Sequence, residues 1–168
     1  MSIFVATEIM LFMGFISAFS IVKAGSLTWP PANQPRLPVE MTAFGTVLLT
    51  LSGICLFLSY RKYRSDKAFE PLFFASVLLG VSFVGLQGYE WTKLIAHGLT
   101  LTSSNYGGFF YLIIGAHAAH AVCAILMMIK LYLFRHDSKK LKNGFLTIQV
   151  FWYFVVGMWP LLYITVYL

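Results

Sequence analysis

The sequence predicts an all-α fold, a membrane-embedded bundle of about five transmembrane helices forming a single membrane domain over residues 1–168. Two observations carry this. Of the 168 residues, 59% are hydrophobic and only 11% are charged, against about 25% charged in an ordinary soluble domain. The charges also cluster, leaving apolar stretches of the ~20 residues a helix needs to cross ~30 Å of hydrocarbon. These stretches carry no polar face of the kind a soluble helix turns to water.

In order, the expected helices run from Ile3 to Ala24, Met41 to Tyr60, Phe69 to Ala96, Gly107 to Phe134 and Phe145 to Tyr167. No cleavable leader is expected, because a basic segment is missing ahead of the first apolar stretch. No internal repeat is evident, which argues against an autonomous carrier built from duplicated halves.

The connections set the expected orientation. One holds Arg61, Lys62, Arg64 and Lys67; another holds Arg135, Lys139, Lys140 and Lys142, with Lys130 just before it. Five helices put these nine cations on the N-terminal side and only Lys23, Arg36 and Lys93 on the other. The formal charge of +6 therefore reads as a topology signal, with the N-terminus cytoplasmic and Leu168 outside, and not as a nucleic-acid surface. Trp29-Pro30-Pro31 falls in the first outer loop, where prolines end a helix and tryptophan suits the interface. Cys55 and Cys123 sit in separate apolar segments without CxxC spacing, so neither a disulfide framework nor a zinc site is expected.

Small residues suggest helix contacts. Met10, Gly14, Ser17, Ala18 and Ile21 form a stripe on the first helix, and Gly115 and Ala119 form a small-xxx-small pair on the fourth.

Four ionisable residues fall inside the spans: Glu8, Glu90, His117 and His120. A charge in hydrocarbon costs at least ~2.5 kcal/mol on insertion scales, so each needs a partner or a task. Glu8 lies about 8 Å inside the cytoplasmic boundary by helix rise, on a face with Leu11, Phe12, Phe15 and Phe19 opposite the small-residue stripe. Such a carboxylate fits proton exchange better than a purely structural role; the other reading is a short carboxylate reaching for the interface. Glu90 is one helical step from Gln87, with His97 two turns on. His117 and His120 are three apart, and counting inward puts His117 at a depth like that of Glu90. A polar cluster of Glu90, His117, His120 and Gln87 is expected, with a hydrogen bond from one imidazole to Glu90. Metal or haem binding by the histidine pair is disfavoured, because axial haem ligands normally come from different helices and the other histidines, His97 and His136, lie in or near loops.

The order of motifs resembles subunit III of the haem-copper oxidase superfamily, in its short five-helix form. The matching segments are Ala6-Thr7-Glu8-Ile9-Met10 with Phe12 and Phe15, Trp29-Pro30-Pro31, Leu37-Pro38-Val39-Glu40, and Gln87-Gly88-Tyr89-Glu90-Trp91. Asn105-Tyr106-Gly107-Gly108-Phe109-Phe110, Gly115-Ala116-His117-Ala118-Ala119-His120 and the aromatic end from Phe151 to Tyr167 complete the series. The resemblance implies a subunit without catalytic residues, haem or copper of its own. The metal centres would belong to a partner, catalytic subunit I, beside further subunits and bound phospholipids. It implies support for proton uptake in aerobic respiratory electron transport, with Glu8 on the proton-entry side, in a bacterial inner membrane. The electron donor would be cytochrome c or quinol. One departure is the last helix: many members have a histidine and an aspartate near Tyr153 and Val156. That leaves a subunit III-like companion of nitric oxide reductase as the alternative, with an autonomous membrane carrier as the alternative from another class.

The orientation is testable. A protease-sensitive tag after Leu168 should be cleaved from the outside of intact cells and protected in inside-out vesicles; the opposite pattern would reverse the topology.

Overall fold

The computed structural model describes residues 2–29, 37–135 and 138–167. Five helices follow one another: α1 (Ser2–Ala24), α2 (Val39–Arg64), α3 (Glu70–Ala96), α4 (Asn105–Leu133) and α5 (Ser138–Leu162). All five are long and apolar enough to cross a membrane, and the all-α bundle expected from the sequence is what forms. Pro30, Pro31, Arg36 and His136 lie outside the described residues.

The ends follow local chemistry. Pro71 sits in the first turn of α3, where its missing N–H costs nothing. Ser104 caps α4 by accepting from the Gly107 amide at 3.1 Å, so the helix starts two residues before the Gly107 expected. A Cβ on Gly107 would run into the Thr100 carbonyl. The α5 helix begins at Ser138, seven residues before the apolar run, because a helix can extend past the hydrocarbon on polar residues. At its far end Pro160 withholds a backbone donor, and residues Tyr163–Tyr167 continue as a π-helical turn.

The most extensive packing joins α2 to α3. Buried positions on α3 are Phe73, Ser76, Gly80, Phe83, Gln87, Glu90 and Leu94, alternating by three and four. On α2 the series Thr42, Gly45, Leu49, Ser52, Leu56 and Ser59 does the same. This is the spacing of a coiled-coil seam, here antiparallel and interleaving small and polar residues with Leu and Phe. At its centre Ser52 donates to the Ser76 carbonyl (2.7 Å) and Ser76 donates to the Ser52 carbonyl (2.8 Å). The Trp152 indole N–H of α5 donates to the Ser52 hydroxyl at 3.2 Å, and a Cβ on Gly80 would sit 2.9 Å from the Trp152 ring. A second indole, Trp159, donates to Thr46 at 2.9 Å. Thus α5 lies over the α2–α3 seam and is tied to α2 at two depths.

The small-residue stripes do not behave as expected. On α1, Met10 and Ile21 are 74% and 71% exposed, and a Cβ on Gly14 would meet nothing within 4 Å. The helix turns its bulky face inward instead, burying Phe12, Ile16 and Phe19 against α4 and α5. On α4, Ala119 is exposed, and a Cβ on Gly115 would find only the Trp91 ring, at 3.9 Å. Close backbone approach occurs on α2 and α3, where hydroxyls supply hydrogen bonds as well as room.

Ser52→Ala should therefore lower stability by about 1–2 kcal/mol, since it orphans the Trp152 N–H and removes the hydroxyl that donates to the Ser76 carbonyl. Gly80→Val should cost about 1–3 kcal/mol by overpacking against the indole. Unfolding in detergent micelles checks both; an unchanged midpoint for either variant would contradict the seam.

Candidate functional site

Hydrocarbon offers no hydrogen-bonding partner, so each polar side chain within a span must be matched inside the protein. The four ionisable residues singled out in the sequence divide into two separate sites and one structural bond.

The first site joins α1 to α4. The Glu8 carboxylate faces the His120 Nε2 at 3.0 Å. His120 Nδ1 lies 2.7 Å from the Ala116 carbonyl, and a carbonyl only accepts, so this nitrogen carries a proton. The proton between Nε2 and Glu8 Oε2 then has two resting places, giving imidazolium with carboxylate or imidazole with carboxylic acid. Phe12 meets His120 edge-on at 5.5 Å, and Phe151 and Phe154 lie 6.2 and 5.9 Å away. This aromatic wall excludes water from one side. The other side is open: His120 and Glu8 remain 18% and 16% exposed. The pair is therefore walled by aromatic rings on one side and partly exposed at the edge of the bundle.

The second site lies at the end of the α2–α3 seam. Glu90 Oε2 accepts from Thr42 Oγ at 3.0 Å and from Gln87 Nε2 at 3.3 Å. Tyr167 donates to Gln87 Oε1 at 3.3 Å, extending the chain of bonds to the π-helical turn. Glu90 is 3% exposed, and its Oε1 has no partner among the described residues. Beside it is a cavity of about 200 Å³, edged by Pro38, Lys93 and His97. Lys93 rests over the Tyr89 ring at 4.3 Å, one turn from Glu90.

His117 belongs to neither site. Fully buried, it donates from Nε2 to the Val155 carbonyl at 3.0 Å and stacks near Trp159 at 4.9 Å. It fastens α4 to α5.

The hydrogen bond expected between Glu90 and His117 or His120 is therefore not formed. Glu90 lies about 9 Å inward from the end of α3 and His117 about 18 Å inward from the start of α4, by helix rise. Glu90 is also on the seam face of α3, turned toward α2. A step of three residues rotates His120 away from His117 around α4, so the imidazoles reach α1 and α5 respectively. The expected pairing of Gln87 with Glu90 does form. Sequence reasoning passed over Thr42, Tyr167 and the Val155 carbonyl. Thr42 was findable, since it opens the alternating three-four series on α2; a backbone carbonyl leaves no such signal.

Glu8 was expected to have apolar neighbours on its own helical face. Its own helix is apolar there, but its partner comes from 112 residues away. Tyr153, where the resemblance leads one to expect histidine, accepts from Gln149 at 2.6 Å, and Val156 fills the space beside Gly53. Among the described residues no group of three His, Cys, Asp or Glu side chains converges.

Comparison with known proteins is consistent along the whole chain. The model of the family described as cytochrome c oxidase subunit III matches residues 1–168. A cytochrome c oxidase subunit 3 from Drosophila yakuba is 31% identical over 179 residues, covering 99% of this chain and 67% of that protein. A probable cytochrome c oxidase subunit 3 from Nocardia farcinica is 28% identical over 173 residues, covering 98% of this chain and 84% of that protein. Its counterpart from Mycobacterium leprae is 29% identical over 171 residues, with coverage of 98% and 84%.

Thr42→Val keeps the shape at the second site but removes one donor to Glu90, and should cost about 0.6–2 kcal/mol in unfolding assays. Glu90→Gln, which keeps shape and removes the charge, should cost less than Glu90→Ala; equal losses would show that the site requires the carboxylate itself and not its volume.

Proposed function

Because the chain belongs to the cytochrome c oxidase subunit III family, we propose that it is a non-redox accessory subunit of a haem-copper terminal oxidase. In this reading it steadies the catalytic subunit I and assists proton uptake, with the Glu8–His120 pair as the proton-exchanging group. The haem and copper belong to the partner. The chain resides in a bacterial inner membrane with its N-terminus in the cytoplasm, and electrons reach the complex from cytochrome c or quinol.

The observation that carries the proton role is the 3.0 Å contact between Glu8 and His120, with both side chains partly open. The locked Nδ1 proton leaves one mobile proton in the pair. Its position on the side of the basic loops fits uptake from the cytoplasm. The ring wall supports the role too, because a water-filled surround would let the proton pass without the pair.

Each half of the pair has a distinct test. Glu8→Gln keeps the hydrogen bond to His120 and removes the carboxyl proton, so α1 should stay seated and the complex should assemble. Electron transfer should continue while proton uptake slows severalfold, more so as pH rises and protons grow scarce. Turnover, uptake and working lifetime of the assembled complex between about pH 6 and 9 provide the check. Wild-type values throughout would leave the pair a structural fastening only.

A further inference from the structure

Glu90 is a buried carboxylate with one oxygen unused. Its Oε2 is engaged by Thr42 and Gln87, while its Oε1 has no partner among the described residues. The side chain borders the cavity of about 200 Å³ between the start of α2 and the end of α3. We propose that this cavity is a water-filled vestibule through which Glu90 exchanges a proton with the aqueous phase on the side of the α3–α4 turn. This goes beyond the oxidase reading and does not depend on it.

Depth brings the cavity within reach of water. The α3 helix has 27 residues, about 40 Å by helix rise against ~30 Å of hydrocarbon. Shared between its ends, the excess leaves about 5 Å of helix clear of the core on each side. Glu90, about 9 Å from the helix end, is then only about 4 Å below the hydrocarbon boundary. Lys93 lies about half as far in, and His97 follows the last helical residue. All three border the cavity, which therefore runs from the buried carboxylate to the interface.

Chemistry selects water as the occupant. A buried water makes about two to four hydrogen bonds, and the cavity supplies partners at both ends. Glu90 Oε1 accepts and the Lys93 ammonium donates. His97 Nδ1 is committed to the Lys93 carbonyl at 2.7 Å, which leaves Nε2 for water. At ~30 Å³ per molecule of liquid the space admits several waters. A row of about three, spaced at ~2.8 Å, covers the distance from Glu90 to the helix end. Hydrocarbon in the same space would leave Oε1 buried without a bond. A metal ion would meet the Lys93 ammonium, and no third His, Cys, Asp or Glu joins the two among the described residues.

The surroundings give the exchange a direction. On the inner side Tyr167 donates to Gln87, with Tyr106 and Tyr111 of α4 beyond it. From α2 comes the Thr42 hydroxyl, whereas the acid of that helix, Glu40, is exposed at its start. These inner neighbours are hydroxyls and an amide, poor acceptors of a proton. On the cavity side stand Lys93, resting over the Tyr89 ring, and His97, whose imidazole titrates near neutrality in water.

The test uses the chain in its native assembly, reconstituted in sealed vesicles of one orientation, with the sides identified by a tag after Leu168. Infrared difference spectra against Glu90→Gln isolate the Glu90 carboxyl band. The pH on one side is then stepped between about 4 and 9, a range wide enough for a shifted carboxyl. The band should follow a step on the α3–α4 side at least about tenfold faster than a step on the opposite side. A second measurement does not rely on the band. With Cys55 and Cys123 replaced by alanine, Glu90→Cys and Trp91→Cys place one thiol at nearly the same depth on different faces of α3. A permanently charged methanethiosulfonate, which modifies thiols that water reaches, should react with Glu90→Cys at least about tenfold faster. A carboxyl that follows the opposite side, or that does not titrate in this range, would overturn the proposal. So would equal thiol rates at the two positions.

Discussion

Everything in this molecule follows from the absence of a hydrogen-bonding solvent around its helices. In water a serine or glutamate at the wrong position is merely idle; in hydrocarbon it must find a partner or destabilise the span. The polar side chains are accordingly concentrated on the α2–α3 seam. There Ser52 and Ser76 bond one another's carbonyls, and Thr42 and Gln87 converge on Glu90. The indoles of α5 use the same supply, reaching Ser52 and Thr46. Three helices are thus fixed by directional bonds, which do what hydrophobic packing cannot do when the surroundings are as apolar as the core.

With α2, α3 and α5 joined in this way, α4 is fastened by His117 to the Val155 carbonyl. That leaves α1 at the edge, packed on α4 and α5. Its one carboxylate, Glu8, is matched by His120. The same contact that seats the outermost helix is therefore the pair proposed above to exchange a proton. In the α2–α3 seam Glu90 is instead enclosed on the bundle side by Thr42 and Gln87. At the edge of the bundle the pair stays partly exposed, with phenylalanines on its other side.

The length and number of helices were legible because hydrocarbon thickness sets them and composition reports them. Partner choice was less legible. Glu90 and the two histidines invited pairing because all three are polar and lie in spans, yet span membership says nothing about which way a helix is turned. The alternating series from Phe73 to Leu94 contains that information, since it groups Glu90 with Ser76 and Gly80 on the face that meets α2. The small residues of α1 misled for a related reason. Gly and Ala permit close approach without causing it, whereas serine and threonine add bonds that reward it. Glu8 was identified as a site residue from its own helix alone, but its chemistry depends on a ring supplied from α4.

Family membership and geometry bear on different questions. Membership places the chain beside oxidase subunits whose names record the complex they belong to. Geometry describes what its own side chains can do, and here the departures matter. With Tyr153 bonded to Gln149 and Val156 packed beside Gly53, the last helix holds no ionisable pair at those two positions. On the proposed proton role, a proton entering at Glu8 would find no carboxylate or imidazole at those positions to receive it. Inward along α4 the next ring is His117, whose Nε2 is committed to a carbonyl and whose surroundings are aromatic. On the proposed reading, the pair on α1 and α4 is an end station among the described residues. On the proposed proton role, onward transfer would leave through the partly exposed edge of the pair and not through the aromatic surroundings of His117.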